Sequence, residues 1–383
     1  MDATVSRRLI LAFVISLVIY AMACFSPIAW SPDGASLAFV NMRKEMGKDG
    51  EGKETARLDY ELWTWNLQEG KGRVLAKIGD PEGVLGIPAF SPDGQRVAYI
   101  QAVHLGGKEE KNRGSRLSLC FIDVRSGNSS TAWSMEAQQA LEKTMPFFGC
   151  PLSWAPDGKA LVFEIARDSY LYDQATGKTV ELRKNTLCPS WSPRDAQIAV
   201  IEFLGEDTIG EGRLILLSPQ GAELKSLARV PVHLFNEEPV QGPAWRPDGK
   251  ALAYLAEGAG EAMMSTLSVA GLDGSVQVLL REKGSILCPS WSPDGKQIAF
   301  LSLGKREDVP KGETFLPNRI KVFDLDSKTT RTILDGKLLA LTPFSPVWSP
   351  DGKSIAVFGF DEKKGGTILI LSADGQQRKA LPL

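Results

Sequence analysis

A short phrase returns seven times along this 383-residue chain: an aromatic residue, a turn built on Pro-Asp-Gly, then an apolar strand. The copies are Trp30-Ser-Pro-Asp-Gly34, Phe90-Ser-Pro-Asp-Gly94, Trp154-Ala-Pro-Asp-Gly158, Trp191-Ser-Pro-Arg-Asp195, Trp245-Arg-Pro-Asp-Gly249, Trp291-Ser-Pro-Asp-Gly295 and Trp348-Ser-Pro-Asp-Gly352. Their prolines are 60, 64, 37, 54, 46 and 57 residues apart. Self-similarity at roughly 40–50 residues marks a propeller or a solenoid.

The phrase has a physical reading. Proline presets φ for the first central position of a type I turn, Asp tolerates the second, and Gly takes the left-handed position that follows. After each turn comes an apolar triplet: Leu37-Ala-Phe39, Val97-Ala-Tyr99, Leu161-Val-Phe163, Ile198-Ala-Val200, Leu252-Ala-Tyr254, Ile298-Ala-Phe300 and Ile355-Ala-Val357. A strand with no polar neighbour is buried on both faces, and the repeated Ala suits a tight gap between sheets. A second hairpin follows in each repeat, as in Glu61–Leu67 before Gly70 and Thr367–Leu371 before Ala373-Asp-Gly375. Four strands per repeat, A to D, make one blade, so the expected fold is all-β: a seven-bladed β-propeller of four-stranded antiparallel blades. The motif residues Asp33, Asp93, Asp157, Asp248, Asp294 and Asp351 are expected to be structural turn residues.

The phrase aromatic-Ser-Pro-Asp-Gly-x-x-Ile-Ala-Phe resembles the WD40-like repeat of the TolB-type β-propeller family. The resemblance runs from Ser26 to Leu383 and concerns the propeller alone, without the α/β domain that TolB proteins carry ahead of it. It implies a non-catalytic module of the cell envelope that binds a protein or peptide. Repeats are expected to start near residues 26, 86, 149, 187, 242, 287 and 345, within a propeller spanning 25–383. The fourth copy departs, with Arg194-Asp195-Ala196 in place of Asp-Gly, and a looser turn is expected there.

Residues 1–24 differ in kind. Arg7-Arg8 precede an uncharged run from Leu9 to Ala23, then Cys24. A basic start, an apolar stretch and small residues at its end describe a secretory signal. Ala21-Met-Ala-Cys24 resembles a lipoprotein signal site with Cys24 as the lipidated residue; simple cleavage and an uncleaved anchor are the other readings. The expected location is exported, periplasmic or extracellular, with the membrane reached through the N-terminus. Cys120 reads as a buried hydrophobe, whereas Cys150, Cys188 and Cys288 each precede a proline before an innermost strand and are expected near the central channel. Small residues repeated by duplication, a disulfide or a metal are the readings open to these three. No Cys-x-x-Cys spacing supports zinc.

Short Pro-Asp-Gly turns make the A–B side of the propeller uniform, so the length variation falls on the opposite face, which carries the B–C and D–A connections. There lie 41–59, 101–115 and 302–318 between strands B and C, and 77–87, 132–149 and 228–242 between strands D and A. Loops over about a dozen residues are usually functional or disordered, and the variable face of a rigid scaffold carries specificity. The Gly-rich 41–59 stretch reads as mobile. Residues 134–143 contain good helix formers with Ser134 as a possible cap. Phe147, Phe148, Leu234 and Phe235, with the two loop histidines His104 and His233, form the candidate binding face.

Charge is nearly balanced, at −2, with no long basic run, which argues against nucleic acid. No Gly-x-Ser-x-Gly elbow and no phosphate-cradling loop are present. Glu202, Glu237, Glu238 and Asp308 are acidic, but nothing in their spacing picks them out. The sequence therefore leads to a non-enzyme without catalytic residues, metal or cofactor, which docks an envelope protein or peptide through its loop face. The alternative is a small-molecule or sugar-processing propeller with a site at the channel mouth.

Overall fold

The computed structural model describes residues 28–48, 54–79, 83–105, 114–137, 152–205, 209–233, 242–257, 264–304, 318–335, 346–361 and 365–382. They form seven antiparallel sheets, each built from consecutive strands. Blade 1 contains β1 (Ile28–Trp30), β2 (Ser36–Lys48), β3 (Glu54–Asn66) and β4 (Lys71–Gly79). Blade 2 adds a strand to the plan: β5 (Gly83–Leu85) and β6 (Ala89–Phe90) both pair with β7 (Arg96–Leu105), followed by β8 (Gly114–Asp123) and β9 (Ser129–Ala137). Blade 3 is β10 (Leu152–Trp154), β11 (Ala160–Ile165), β12 (Asp168–Asp173) and β13 (Lys178–Arg183). Blade 4 is β14 (Thr186–Trp191), β15 (Ile198–Phe203), β16 (Ile209–Leu217) and β17 (Glu223–His233). Blade 5 is β18 (Ala244–Trp245), β19 (Ala251–Glu257), β20 (Met264–Gly271) and β21 (Val276–Lys283). Blade 6 is β22 (Ser285–Trp291), β23 (Gln297–Leu303), β24 (Asn318–Asp324) and β25 (Thr329–Asp335). Blade 7 is β26 (Val347–Trp348), β27 (Ser354–Asp361), β28 (Gly365–Ser372) and β29 (Arg378–Ala380).

Each turn works as its sequence dictates. Gly34 N–H donates to the Ser31 carbonyl at 2.8 Å, and Ser31 N–H closes the loop onto Ser36 at 2.8 Å. Asp33 Oδ1 accepts from Ser31 Oγ (2.5 Å) and Ala35 N–H (3.0 Å). The glycines of six turns sit at φ between +69° and +72°, where a side chain is strained. Blade 4 keeps the closing bond, Ser192 N–H to Gln197 O, while Arg194 and Asp195 N–H turn instead to Ser192 Oγ.

The middle residue of every triplet is fully buried, from Ala38 to Ala356. Triplet ends face the preceding blade and the middle residue faces the next. Ile198 and Val200 pack with Val162 of blade 3, while Ala199 packs with Leu252 of blade 5. The motif tryptophans do more than fill space. Five indole N–H groups donate to the preceding blade, each to the residue just before that blade's motif aromatic: Trp30 to Val347 (3.0 Å), Trp154 to Ala89 (3.3 Å), Trp245 to Ser190 (3.0 Å), Trp291 to Ala244 (3.0 Å) and Trp348 to Ser290 (3.1 Å). The Trp30 bond joins blade 1 to blade 7. Among the described residues no strand is exchanged at that seam; Ala356, Phe358 and Ile368 pack into the blade 1 core and close the ring face to face.

Several expected loops are strands. Residues 41–48 and 54–59 continue the β2–β3 ladder from Asn41↔Glu61 to Lys48↔Glu54, so the mobile-loop expectation there is corrected. Likewise 101–105 pair with 114–118, and 228–233 lie in β17. Ser134 to Ala137 belong to β9, paired with β8, so a helix capped by Ser134 is excluded. Good helix formers yield here to an open ladder edge.

Candidate functional site

The B–C/D–A face has an uneven rim. Strands B and C of blade 1 run on to Lys48 and Glu54, and those of blade 2 to Leu105 and Gly114. Blade 3, their neighbour, closes its B–C connection with only Ala166 and Arg167, at φ 52° and 68°. Both residues lie in the left-handed region that two-residue hairpins demand, although neither is Gly or Asn. The D–A connection of the same blade is equally short, with Asn185 at φ 50°. Among the described residues the B–C strands are thus short at blade 3 and long at blade 2 beside it and at blade 1 beyond.

Beneath the short connections of blade 3 two carboxylates lie between blades 3 and 4. Glu164 follows the blade 3 triplet at a position that holds Val40, Ile100, Ile201, Leu255, Leu301 and Phe358 in the other blades. Its Oε2 accepts the Cys188 N–H at 2.7 Å. Part of the side chain touches solvent, yet protein surrounds the carboxyl, and burial pushes its pKa up to about 7 against the Cys188 hydrogen bond. That N–H is aimed by an unusual backbone. Cys188 sits at φ 55°, just before Pro189, in a bulge between Leu187 and Ser190; Cys288 repeats the conformation in blade 6. The bulge gives a proline room inside a strand.

Glu202 is the second carboxylate. Arg183 reaches it from blade 3 (Nε–Oε1 3.0 Å) and Arg213 from the adjacent strand (Nε–Oε2 3.0 Å), and both arginines also hold Glu223. Burial alone would raise the Glu202 carboxyl, but the two guanidinium groups outweigh it and hold it below the ordinary range. A related bridge spans blades 5 and 6, where Glu282 takes Lys321 (2.7 Å) and Ser302 (2.7 Å).

A third polar cluster lies in blade 1, on the face turned towards blade 7. Asp59 and Glu61 are buried and receive Lys77 at 2.8 and 3.4 Å; Glu61 also takes Arg43 and the Trp63 indole. Next to them Asn41 is 4% exposed, and its Oδ1 has no hydrogen-bond partner among the described residues. On the side of the propeller that carries the Pro-Asp-Gly turns, a cleft of about 650 Å³ between blades 6 and 7 is lined by Asp294, Asp351, Asp374, Arg331 and Trp348.

The sequence-derived candidates are scattered by comparison. His104 is exposed in β7, with Nδ1 3.3 Å from Ser115 Oγ, and His233 ends β17; both stand in strands rather than loops. Phe147, Phe148, Leu234, Phe235 and Cys24 lie outside the described residues, as do Cys150, Glu237, Glu238 and Asp308. Cys120, Cys188 and Cys288 are buried free thiols, so no disulfide joins them. Asp33, Asp93, Asp157, Asp248, Asp294 and Asp351 each accept a backbone N–H of their own turn. Glu164 was missed. Its signal was a lone charge after an otherwise apolar triplet. Among the described residues no three His, Cys, Asp or Glu side chains converge to hold a metal.

Comparison with known proteins agrees on the scaffold. An oligogalacturonate lyase solved with manganese superposes with a TM-score of 0.61 at 14% identity, covering 91% of this chain and 89% of the lyase. The fold is a seven-bladed β-propeller. TolB from Acinetobacter baumannii is also similar (TM-score 0.48, 19% identity, 90% and 80% covered). So is the propeller domain of the trilobed protease from Pyrococcus furiosus, described as having open velcro topology (TM-score 0.50, 14% identity, 78% and 83% covered). No family model matches. By sequence the propeller resembles dipeptidyl-peptidase 5 of Porphyromonas gingivalis, 24% identical over 144 residues, 37% of this chain and 18% of that protein. It also resembles the uncharacterized peptidase YuxL of Bacillus subtilis, 25% identical over 229 residues, 59% and 28%. The chain therefore spans less than a third of the length of these curated relatives. These findings correct the expectation of a non-enzyme: a lyase shares the fold and two peptidases share sequence with it, and one propeller scaffold hosts binding and catalysis alike.

Proposed function

We propose that this propeller receives a peptide segment at its B–C/D–A face and serves peptide-cleaving chemistry as the part that selects the substrate. The observation that carries the reading is the unequal reach of the strands: among the described residues, strands B and C run far at blades 1 and 2 and end early at blade 3, which makes this face uneven. The sequence likeness to two peptidases supports a peptide over other ligands. A second reading, a carboxylate-based site for a saccharide, is favoured by Glu164, whose raised pKa suits a proton donor or acceptor near neutral pH.

The test is binding of a fluorescent peptide pool and of an oligogalacturonide pool to the full chain. It is repeated with Gly-Ser-Gly-Ser inserted between Ala166 and Arg167 to lengthen the short B–C connection of blade 3. Peptide binding that falls about tenfold in the insertion variant, at unchanged melting temperature, is the expected result. Retention of the saccharide pool alone would replace the first reading with the second.

A further inference from the structure

Among the described residues, the backbone of blade 1 leaves the inner edge of β2 unpaired beyond β1. Among the described residues β1 pairs with β2 over Leu37–Phe39, whereas β2 continues to Lys48. In an antiparallel ladder each residue aims both its N–H and its C=O to one side. Ser36 O accepts from Ser31 on the inner side, and Ala35 O accepts from Leu67 on the outer side. Even-numbered residues of β2 therefore face inward: beyond β1 these are Val40, Met42, Lys44, Met46 and Lys48, over about 26 Å of strand. Among the described residues no strand pairs with this edge.

In three other blades the chain covers the same edge, whereas among the described residues blades 5 and 7 leave β19 beyond Ala253 and β27 beyond Ala356 without an inner partner. In blade 2, β5 lies antiparallel on the inner edge of β7, with Val84 opposite Ala102 and Gly86 N–H bonded to Ile100 O at 2.7 Å. In blades 4 and 6 the residues before the Cys-Pro bulge do so, Thr186 and Leu187 on β15 and Ser285 to Leu287 on β23. A separate observation marks blade 1. A strand laid on its inner edge would set one side chain beside Asn41, at a cross-strand spacing of about 5 Å. Asn41 Oδ1, buried and without a donor among the described residues, lies at that position.

We propose that an extended peptide adds as an antiparallel strand to the inner edge of β2 over Val40–Lys48, with a hydrogen-bond-donating side chain set against Asn41. The inference rests on the peptide-recognition reading above and names where and how the peptide is held. Main-chain bonds supply affinity that tolerates many sequences, and the Asn41 contact supplies a preference at one position.

The probe is a fluorescein-labelled nonapeptide alternating Thr and Val, with Ser, Asn or Ala at its centre, titrated into the full chain by anisotropy. Ser and Asn peptides are expected to bind about fivefold tighter than Ala, the worth of one hydrogen bond. N-methylation of one alternate set of residues abolishes binding, and of the other set does not. Lys44→Pro removes an inward N–H without touching the ladder to β3 and weakens binding about tenfold at unchanged melting temperature. Asn41→Leu erases the preference for Ser and Asn but keeps the sensitivity to N-methylation. Peptides that bind yet ignore both N-methylation and Lys44→Pro overturn this edge and leave peptide recognition standing. No binding by any peptide removes both readings. Binding that appears only after residues 1–26 are removed overturns a partner peptide in favour of the chain's own N-terminal segment.

Discussion

At Glu164 a single residue departs from six apolar equivalents, and the departure has a thermodynamic sign. Its folded pKa, raised to about 7, lies above the ordinary glutamate value near 4.5. Between these values the folded state keeps a proton that the unfolded chain has lost, so stability falls as pH rises through this window and stays low above it. The shift corresponds to roughly 3 kcal/mol for the fully ionised form. Glu164→Gln keeps an acceptor for Cys188 N–H and cannot ionise. It is expected to raise the melting temperature at pH 8 and leave it unchanged at pH 4; an equal shift at both values would mean that packing, not charge, governs the site. Sequence reading passed over this residue because a lone Glu in a strand reads as solvated. Only the close approach of blade 4 makes it buried.

At the scale of the element, the Pro-Asp-Gly turn was legible almost completely, because its bonds are local. Ser, Asp and Gly satisfy one another within six residues, and the Ser292 hydroxyl, with the Lys296 backbone N–H and charge assisting, holds Asp294 below the ordinary carboxylate range. Asp294→Ala is expected to cost about 1 kcal/mol or less and to leave peptide affinity unchanged, as chemical denaturation and titration would show. A large loss of affinity at constant stability would make the turn part of a site. The long connections were misjudged for the converse reason. Whether 41–48 is loop or strand depends on what pairs with it, and Gly47 and the mixed charges around it favour neither. Ser134 to Ala137 carry helix propensity that β8 overrides by offering a ladder edge.

For the whole molecule, the described residues join blades 1 and 7 by side-chain packing and the Trp30–Val347 bond, with no strand exchanged among them. Phe39 is fully buried there. Phe39→Ala should cost about 3–5 kcal/mol and strip hydrogen-exchange protection from blades 1 and 7 together. Phe300→Ala, the equivalent change between blades 5 and 6, should strip those two instead; identical global loss in both variants would mean that the ring opens as one unit. The blade count, the turns and the burial of the triplets were determined by the sequence alone, since each repeats: the turns rest on contacts within six residues, and an apolar run with no polar neighbour is buried whichever blade lies alongside. The indole bonds from blade to blade, the burial of Glu164 and of Asn41, the inner edge of β2 left unpaired among the described residues and the short B–C strands at blade 3 were decided by tertiary structure. Each depends on which blade lies alongside and how far its strands reach. These are distances between residues some 20 to 320 positions apart, and a local pattern of amino acids cannot encode them.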